Sequence, residues 1–177
     1  DCPRMRLFTV PHVVALEPQS DVPGEWIECS PKSIPNFSAI QYFFGRKIHQ
    51  DLDVPVGLIH VSWTGSLCET WISRPALEGL PEAAPLLTAW RTAVERRTPE
   101  QEEARQAFEK ELASWRERYA TAPRGEKPAA PEAGGPFDPL TNYQQPSGCY
   151  NGMIAPLIPY AIRGALWCQG EGSSDRS

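Results

Sequence analysis

The segment Ile162-Arg163-Gly164-Ala165-Leu166-Trp167-Cys168-Gln169-Gly170-Glu171-Gly172 constrains the fold more than any other. It is a short apolar run with no room for helical periodicity, closed by a Gln-Gly-Glu-Gly turn. Such a run reads as a buried strand that delivers polar groups from its carboxyl end. The same design occurs earlier, where Val56-Gly57-Leu58-Ile59-His60-Val61-Ser62-Trp63 runs apolar and then breaks into Thr64-Gly65-Ser66. Open α/β sheets bind ligands at the carboxyl edge of their strands, so two such exits predict one site assembled from both turns.

The elements before the second of these runs support a parallel sheet. Met5-Arg6-Leu7-Phe8-Thr9-Val10 reads as a strand. Residues 11–36 are broken by Pro11, Pro18, Pro23, Gly24, Pro31 and Pro35 into an irregular connection, with Trp26-Ile27-Glu28-Cys29 as a short extended piece inside it. Phe37, Ile40, Phe43, Phe44, Ile48 and Leu52 then recur at helical steps, predicting a helix from about Phe37 to Asp51 with one apolar face. Asn36 is placed to cap its start, and Arg46, Lys47 and His49 suit the negative end of its dipole. Strand, helix and strand make a parallel unit of right-handed sense.

After Gly65, Glu69–Arg74 predicts a short helical turn, with Pro75 and Pro81 as punctuation. The composition then changes. Between Glu95 and Arg118, seven acidic and six basic residues alternate while Ala104, Phe108, Leu112, Trp115 and Tyr119 keep a helical stripe. Thr98-Pro99-Glu100-Gln101 is a helix start with Thr98 as cap and Gln101 reaching back. We expect helices over 85–97 and 99–120, or one helix kinked at Pro99, with a solvated charged face. Residues 121–148 are rich in proline, glycine and alanine and read as linker. The division expected is therefore a first core part at 1–84, a charged helical insertion with its linker at 85–140, and the resumed core at 141–177. At that resumption Asn151-Gly152 predicts a tight turn.

The 177 residues suffice for one domain with a real core. A net charge of −5, spread along the chain, argues against a nucleic-acid-binding surface and favours a neutral or sugar-like substrate. No run reaches the ~18 apolar residues of a membrane span. The chain opens Asp1-Cys2-Pro3-Arg4 directly into a strand and stops just past the Gln-Gly-Glu turn, so we expect an internal piece of a longer protein. Five cysteines without metal-ligand spacing speak against a zinc site and read as small buried hydrophobes, Cys168 included; they leave the redox compartment open.

Ester hydrolysis requires a nucleophile with a base, plus donors aimed at the oxygen that becomes negative. Gly65 is a candidate donor through a backbone N–H that no side chain shields, and Gln169 through its amide. Glu171 is placed to orient Gln169 or a substrate hydroxyl. Nucleophiles are poor candidates: His60 and Ser62 share a strand face and read as a hydrogen-bonded structural pair. No Gly-x-Ser-x-Gly elbow and no Asp-x-x-His occur, and His12 and His49 have ordinary structural readings.

Several motifs in order resemble the sialate O-acetylesterase family: Arg6-Leu7-Phe8-Thr9-Val10-Pro11-His12, the Phe37-Ser38-Ala39 to Phe43-Phe44-Gly45-Arg46 helix, Val54-Pro55-Val56-Gly57-Leu58-Ile59, Tyr150-Asn151-Gly152-Met153-Ile154-Ala155-Pro156-Leu157 and the closing Gln169-Gly170-Glu171 block. The resemblance covers most of the chain outside residues 80–140. It implies the SGNH (GDSL-like) hydrolase fold, a flavodoxin-like αβα sandwich with a parallel sheet, and a cofactor-free serine esterase acting on acetylated sugars. It also implies oxyanion roles for Gly65 and Gln169, an orienting role for Glu171, substrate-binding positions at Trp63 and Asn151, and a secreted, periplasmic or lysosomal setting. The family's Gly-Gln-Ser-Asn nucleophile block and Asp-x-x-His base block do not occur here. Its Trp-Gly-Gly block stands as Trp63-Thr64-Gly65-Ser66. The alternative is a binding or interaction module derived from that fold, holding glycan or a partner through the helical insertion without hydrolysis.

Overall fold

The computed structural model describes residues 2–123, 126–131 and 138–169. Strand β1 (Cys2–Thr9) is the middle of a three-stranded sheet of order β2-β1-β3, with β2 at Ile27–Cys29 and β3 at Val56–His60. β1 and β3 run parallel, from Met5 opposite Val56 to Thr9 opposite His60, as the strand–helix–strand pattern predicts. β2 is antiparallel to β1, so the extended piece expected inside the connection adds an antiparallel edge to the parallel β1–β3 pair. A parallel neighbour needs a long crossover, usually a helix; the proline-broken connection instead brings Ile27–Cys29 back along the sheet edge.

Side chains alternate along a strand, so the in-register pairs define two faces. Met5, Leu7, Val56 and Leu58 lie on one, packed with Cys29, Phe37 and Tyr42. Phe8, Ile59 and Val61 face the other way, against Val10, Val13, Trp71, Trp115, Tyr119 and Met153. Helix α1 (Ala39–Leu52) contacts β3 and β1. On the second face pack Trp115 and Tyr119 of the long helix at Pro99–Thr121, together with the segment around Met153. The molecule is thus mixed α/β, with helical material on both faces of a small sheet.

The start and the buried flank of α1 differ from expectation. Ser38, not Asn36, caps it, the serine Oγ accepting from the Gln41 N–H at 3.4 Å; Asn36 ends a preceding 3-10 turn, Ile34–Asn36. Of the expected apolar stripe, Ile40, Phe43, Phe44 and Leu52 are 67, 62, 46 and 65% exposed. The seated flank runs through Phe37, Gln41, Tyr42 and Gly45, and Gln41 Nε2 donates to the Ile59 carbonyl at 3.0 Å. α1 carries apolar residues on two flanks, and a sheet whose last described strand is β3 covers only one.

Helices α2 (Arg74–Glu78), α3 (Ala84–Glu95) and α4 (Pro99–Thr121) follow. The capping box at Thr98 is present in both directions, so α3 and α4 are separate helices. Along α4, Arg105 pairs with Glu102 at 2.6 Å and also with Glu109, a local ion-pair network on its charged face. Its inner face buries Trp115 and Tyr119, and Trp115 Nε1 donates to the Pro128 carbonyl at 3.0 Å.

Two expectations near the end are corrected. Residues 162–168 form no strand, and Ile162, Leu166 and Trp167 are exposed. An apolar run becomes a strand only beside a ladder partner, and no described residue pairs with it. The Tyr150–Leu157 segment is helical, a π-type turn at Tyr150–Ile154 followed by a 3-10 turn, with Asn151, Gly152 and Met153 buried. There Asn-Gly serves close packing: a Cβ on Gly152 would stand 2.1 Å from the Val13 carbonyl oxygen.

Candidate functional site

The residues following β3 form a tight turn at Trp63-Thr64-Gly65-Ser66. Gly65 holds a left-handed backbone, φ +77°, which costs an L side chain roughly 1–2 kcal/mol. The Ser66 N–H donates to the Trp63 carbonyl at 3.2 Å and Ser66 Oγ donates to the same oxygen at 2.6 Å. Ser66 Oγ in turn accepts from Trp71 Nε1 at 2.8 Å, so this buried hydroxyl is committed to the turn. The Gly65 carbonyl accepts from Gln144 Nε2 at 3.3 Å, and the Ser66 carbonyl from Gln169 Nε2 at 2.8 Å. Three carbonyls of the turn are therefore held from behind. Among the described contacts nothing takes the N–H groups of Thr64 and Gly65, both exposed residues.

The two strand-exit loops predicted to share a site meet through this Gln169–Ser66 bond, although only the first follows a strand. One amide hydrogen of Gln169 is used by it, leaving the second. Glu171 lies outside the described residues. Asn151 sits elsewhere: 4% exposed, its Nδ2 donates to the Ala15 and Leu16 carbonyls at 3.2 and 2.7 Å, bracing the connection after β1.

Trp63 is one of three parallel rings. His12 stacks on it at 4.2 Å between centroids and Tyr143 at 5.0 Å. Two stacked neighbours thus hold the part-exposed indole in place beside the turn. The Tyr143 hydroxyl stands 3.4 Å from where a Gly65 Cβ would be, which brings a phenol donor to the same turn. Sequence reasoning missed Tyr143 and Gln144 because they lie in a stretch that reads as linker. Their placement depends on how the returning chain packs: Trp90 Nε1 donates to the Pro139 carbonyl at 3.2 Å, and Cys149 N–H to buried Thr70 Oγ1 at 3.0 Å.

His60 and Ser62 do share a face and a hydrogen bond, 2.9 Å between Nε2 and Oγ. Burial, and secondarily the charge of His12, hold His60 below the usual histidine pKa, so it is neutral near pH 7. His12 Nε2 lies 3.0 Å from the Ser62 carbonyl. No described carboxylate hydrogen-bonds His60, so the pair lacks the orienting third member of a triad. Among thiols, burial pushes Cys149 up to about 11, which makes it inert, whereas Cys168 is exposed, contrary to its expected burial. Among the described residues no cluster of histidine, cysteine or carboxylate side chains is arranged to hold a metal ion, and no helix is long and apolar enough to cross a membrane.

The chain is 29% identical over 182 residues to the sialate O-acetylesterase of Rattus norvegicus, a match covering 97% of this chain and 29% of that protein. The Mus musculus sialate O-acetylesterase is 30% identical over 141 residues, covering 78% of this chain and 22% of that one. The chain is a relative of the sialate O-acetylesterases. It spans under a third of the length of these curated relatives. No family model matches it. A carbohydrate acetylesterase from Xanthomonas citri has the same fold over 98% of this chain and 26% of its own, with a TM-score of 0.60 at 23% identity.

Proposed function

We propose that these residues form the oxyanion side of a carbohydrate O-acetylesterase site, acting on acetylated sugars such as O-acetyl sialic acid. The observation that carries this reading is the turn at 63–66: its carbonyls are tied back by Ser66, Gln144 and Gln169, while the Thr64 and Gly65 N–H groups are left for a ligand. In acyl transfer a serine attacks the acetyl carbonyl and a histidine takes its proton. The carbonyl oxygen becomes an oxyanion that prepositioned N–H donors stabilise, each worth about 3–4 kcal/mol. Gly65 N–H and the second Gln169 amide hydrogen fill that role, Trp63 and the hydroxyl of Tyr143 border the sugar, and Glu171 orients Gln169 or a sugar hydroxyl. The nucleophile and base belong to Gly-Gln-Ser-Asn and Asp-x-x-His blocks, which these 177 residues do not contain.

Two measurements test the reading. The 177-residue chain should hydrolyse p-nitrophenyl acetate no faster than its Gly65→Ala/Gln169→Ala double variant. Titration with an O-acetylated sugar should move the Gly65 amide resonance of the isotope-labelled chain. Turnover well above the double variant overturns the division of labour, and an unmoved Gly65 resonance overturns the oxyanion role. The reading as a binding module through the insertion gains nothing from Arg105 of α4, which is already paired to Glu102 and Glu109.

A further inference from the structure

Cys2 is the ladder partner of Cys29 at the start of the antiparallel β1–β2 pairing, where the register shifts between Cys2 and Arg6 so that the two cysteines come together at the end of β2. A disulfide needs Cα atoms about 4.4–6.8 Å apart, the range in which ladder partners stand. Both side chains join the cluster around Met5 and Leu7, where Cys29 is fully buried and Cys2 half-buried. Ladder pairing and a shared apolar cluster meet at one pair.

We propose that Cys2 and Cys29 are a disulfide-forming pair that staples β2 to the central strand when the protein meets a disulfide oxidant. Cys2, the more exposed thiol, attacks one sulfur of an external disulfide such as oxidised glutathione and releases the first reduced thiol. Cys29 then attacks the Cys2 sulfur of the mixed disulfide and releases the second. Two protein thiols are oxidised to one disulfide, one external disulfide is reduced to two thiols, and the two thiol protons leave with them. The order follows from access: burial, then the neighbouring Cys2, raises the Cys29 thiol pKa, so its thiolate is the scarcer attacker of an outside reagent.

The staple has a consequence for the turn at Gly65. The loop it closes, residues 2–29, carries His12, which stacks on Trp63, and Val13, whose carbonyl lies against Gly152. β2, at the end of that loop, is only three residues long. Cross-linking its end restricts the unfolded chain and stabilises the folded one.

The experiment equilibrates the purified chain with oxidised and reduced glutathione, alkylates the remaining thiols and maps tryptic peptides without reduction. We expect peptides 1–4 and 7–32 to be joined with the loss of two hydrogens, and titratable thiols in denaturant to fall from five to three. The urea midpoint should rise on oxidation, return on reduction and stay unmoved in Cys2→Ser. Separate glutathione adducts on Cys2 and Cys29, five surviving thiols, or a link to Cys68, Cys149 or Cys168 overturns the proposal. None of these outcomes depends on esterase chemistry, so the pairing stands or falls apart from the oxyanion reading.

Discussion

Replacing Gly65 by alanine isolates what the turn at the site demands of the backbone. At φ +77° the new Cβ meets only the Tyr143 hydroxyl, at 3.4 Å, an ordinary contact. The cost is therefore conformational. Left-handed geometry penalises alanine by roughly 1–2 kcal/mol, while its stiffer unfolded chain returns roughly 0.4–1 kcal/mol, leaving a net loss of about 1 kcal/mol. With a urea slope of about 1–3 kcal/mol/M, the midpoint should fall by about 0.5 M, followed by tryptophan fluorescence. Gly152→Ala supplies the contrast: its Cβ would stand 2.1 Å from the Val13 carbonyl oxygen, a backbone atom with little room to yield. That variant should lose several-fold more, more than about 3 kcal/mol, as overpacking against fixed backbone does at its upper end. Equal losses at the two glycines, or no loss at Gly65, would refute the assignment of one to conformation and the other to close packing.

Trp115→Ala should cost about 3–5 kcal/mol in urea unfolding, because the indole is fully buried in the cluster that reaches Trp71 and Met153; a loss under about 1 kcal/mol would mean that α4 does not dock on the sheet. His60 should titrate below 6.5 by NMR, because burial and then His12 depress it. The unfolded chain then takes the proton more readily, so the contribution of His60 to stability is complete above 6.5 and is lost as pH falls through the lowered native value. His60→Gln should flatten that part of the pH–stability curve, and a His60 resonance titrating at or above 6.5 would contradict the burial argument. Gln144→Ala should speed hydrogen exchange at the Gly65 turn while leaving β1 protected, since its amide donates to the Gly65 carbonyl; equal exchange in both proteins would leave Gln144 without a positioning role.

Much of this protein was fixed by patterns that lie within a few residues of one another. The parallel β1–β3 pairing follows from two apolar runs flanking a helix, and the break between α3 and α4 from Thr98, Pro99 and Gln101, because strand alternation, helical period and caps are local properties. Kinship to the sialate O-acetylesterases was equally legible in the motif order. Tertiary packing decided the rest. α1 has two apolar flanks, and only the position of β3 selects the seated one. Ile162–Cys168 is apolar enough for a strand, yet strand formation needs a neighbour that no residue inside the run supplies. Asn151 and Gly152 spell a turn, but the Val13–Leu16 backbone beside them draws them into a buried helical segment. The Gly65 turn gathers Gln144 from 79 residues away and Gln169 from 103. Hydrogen bonds across such separations leave no periodic trace in the chain, because they are set by where packed elements come to rest.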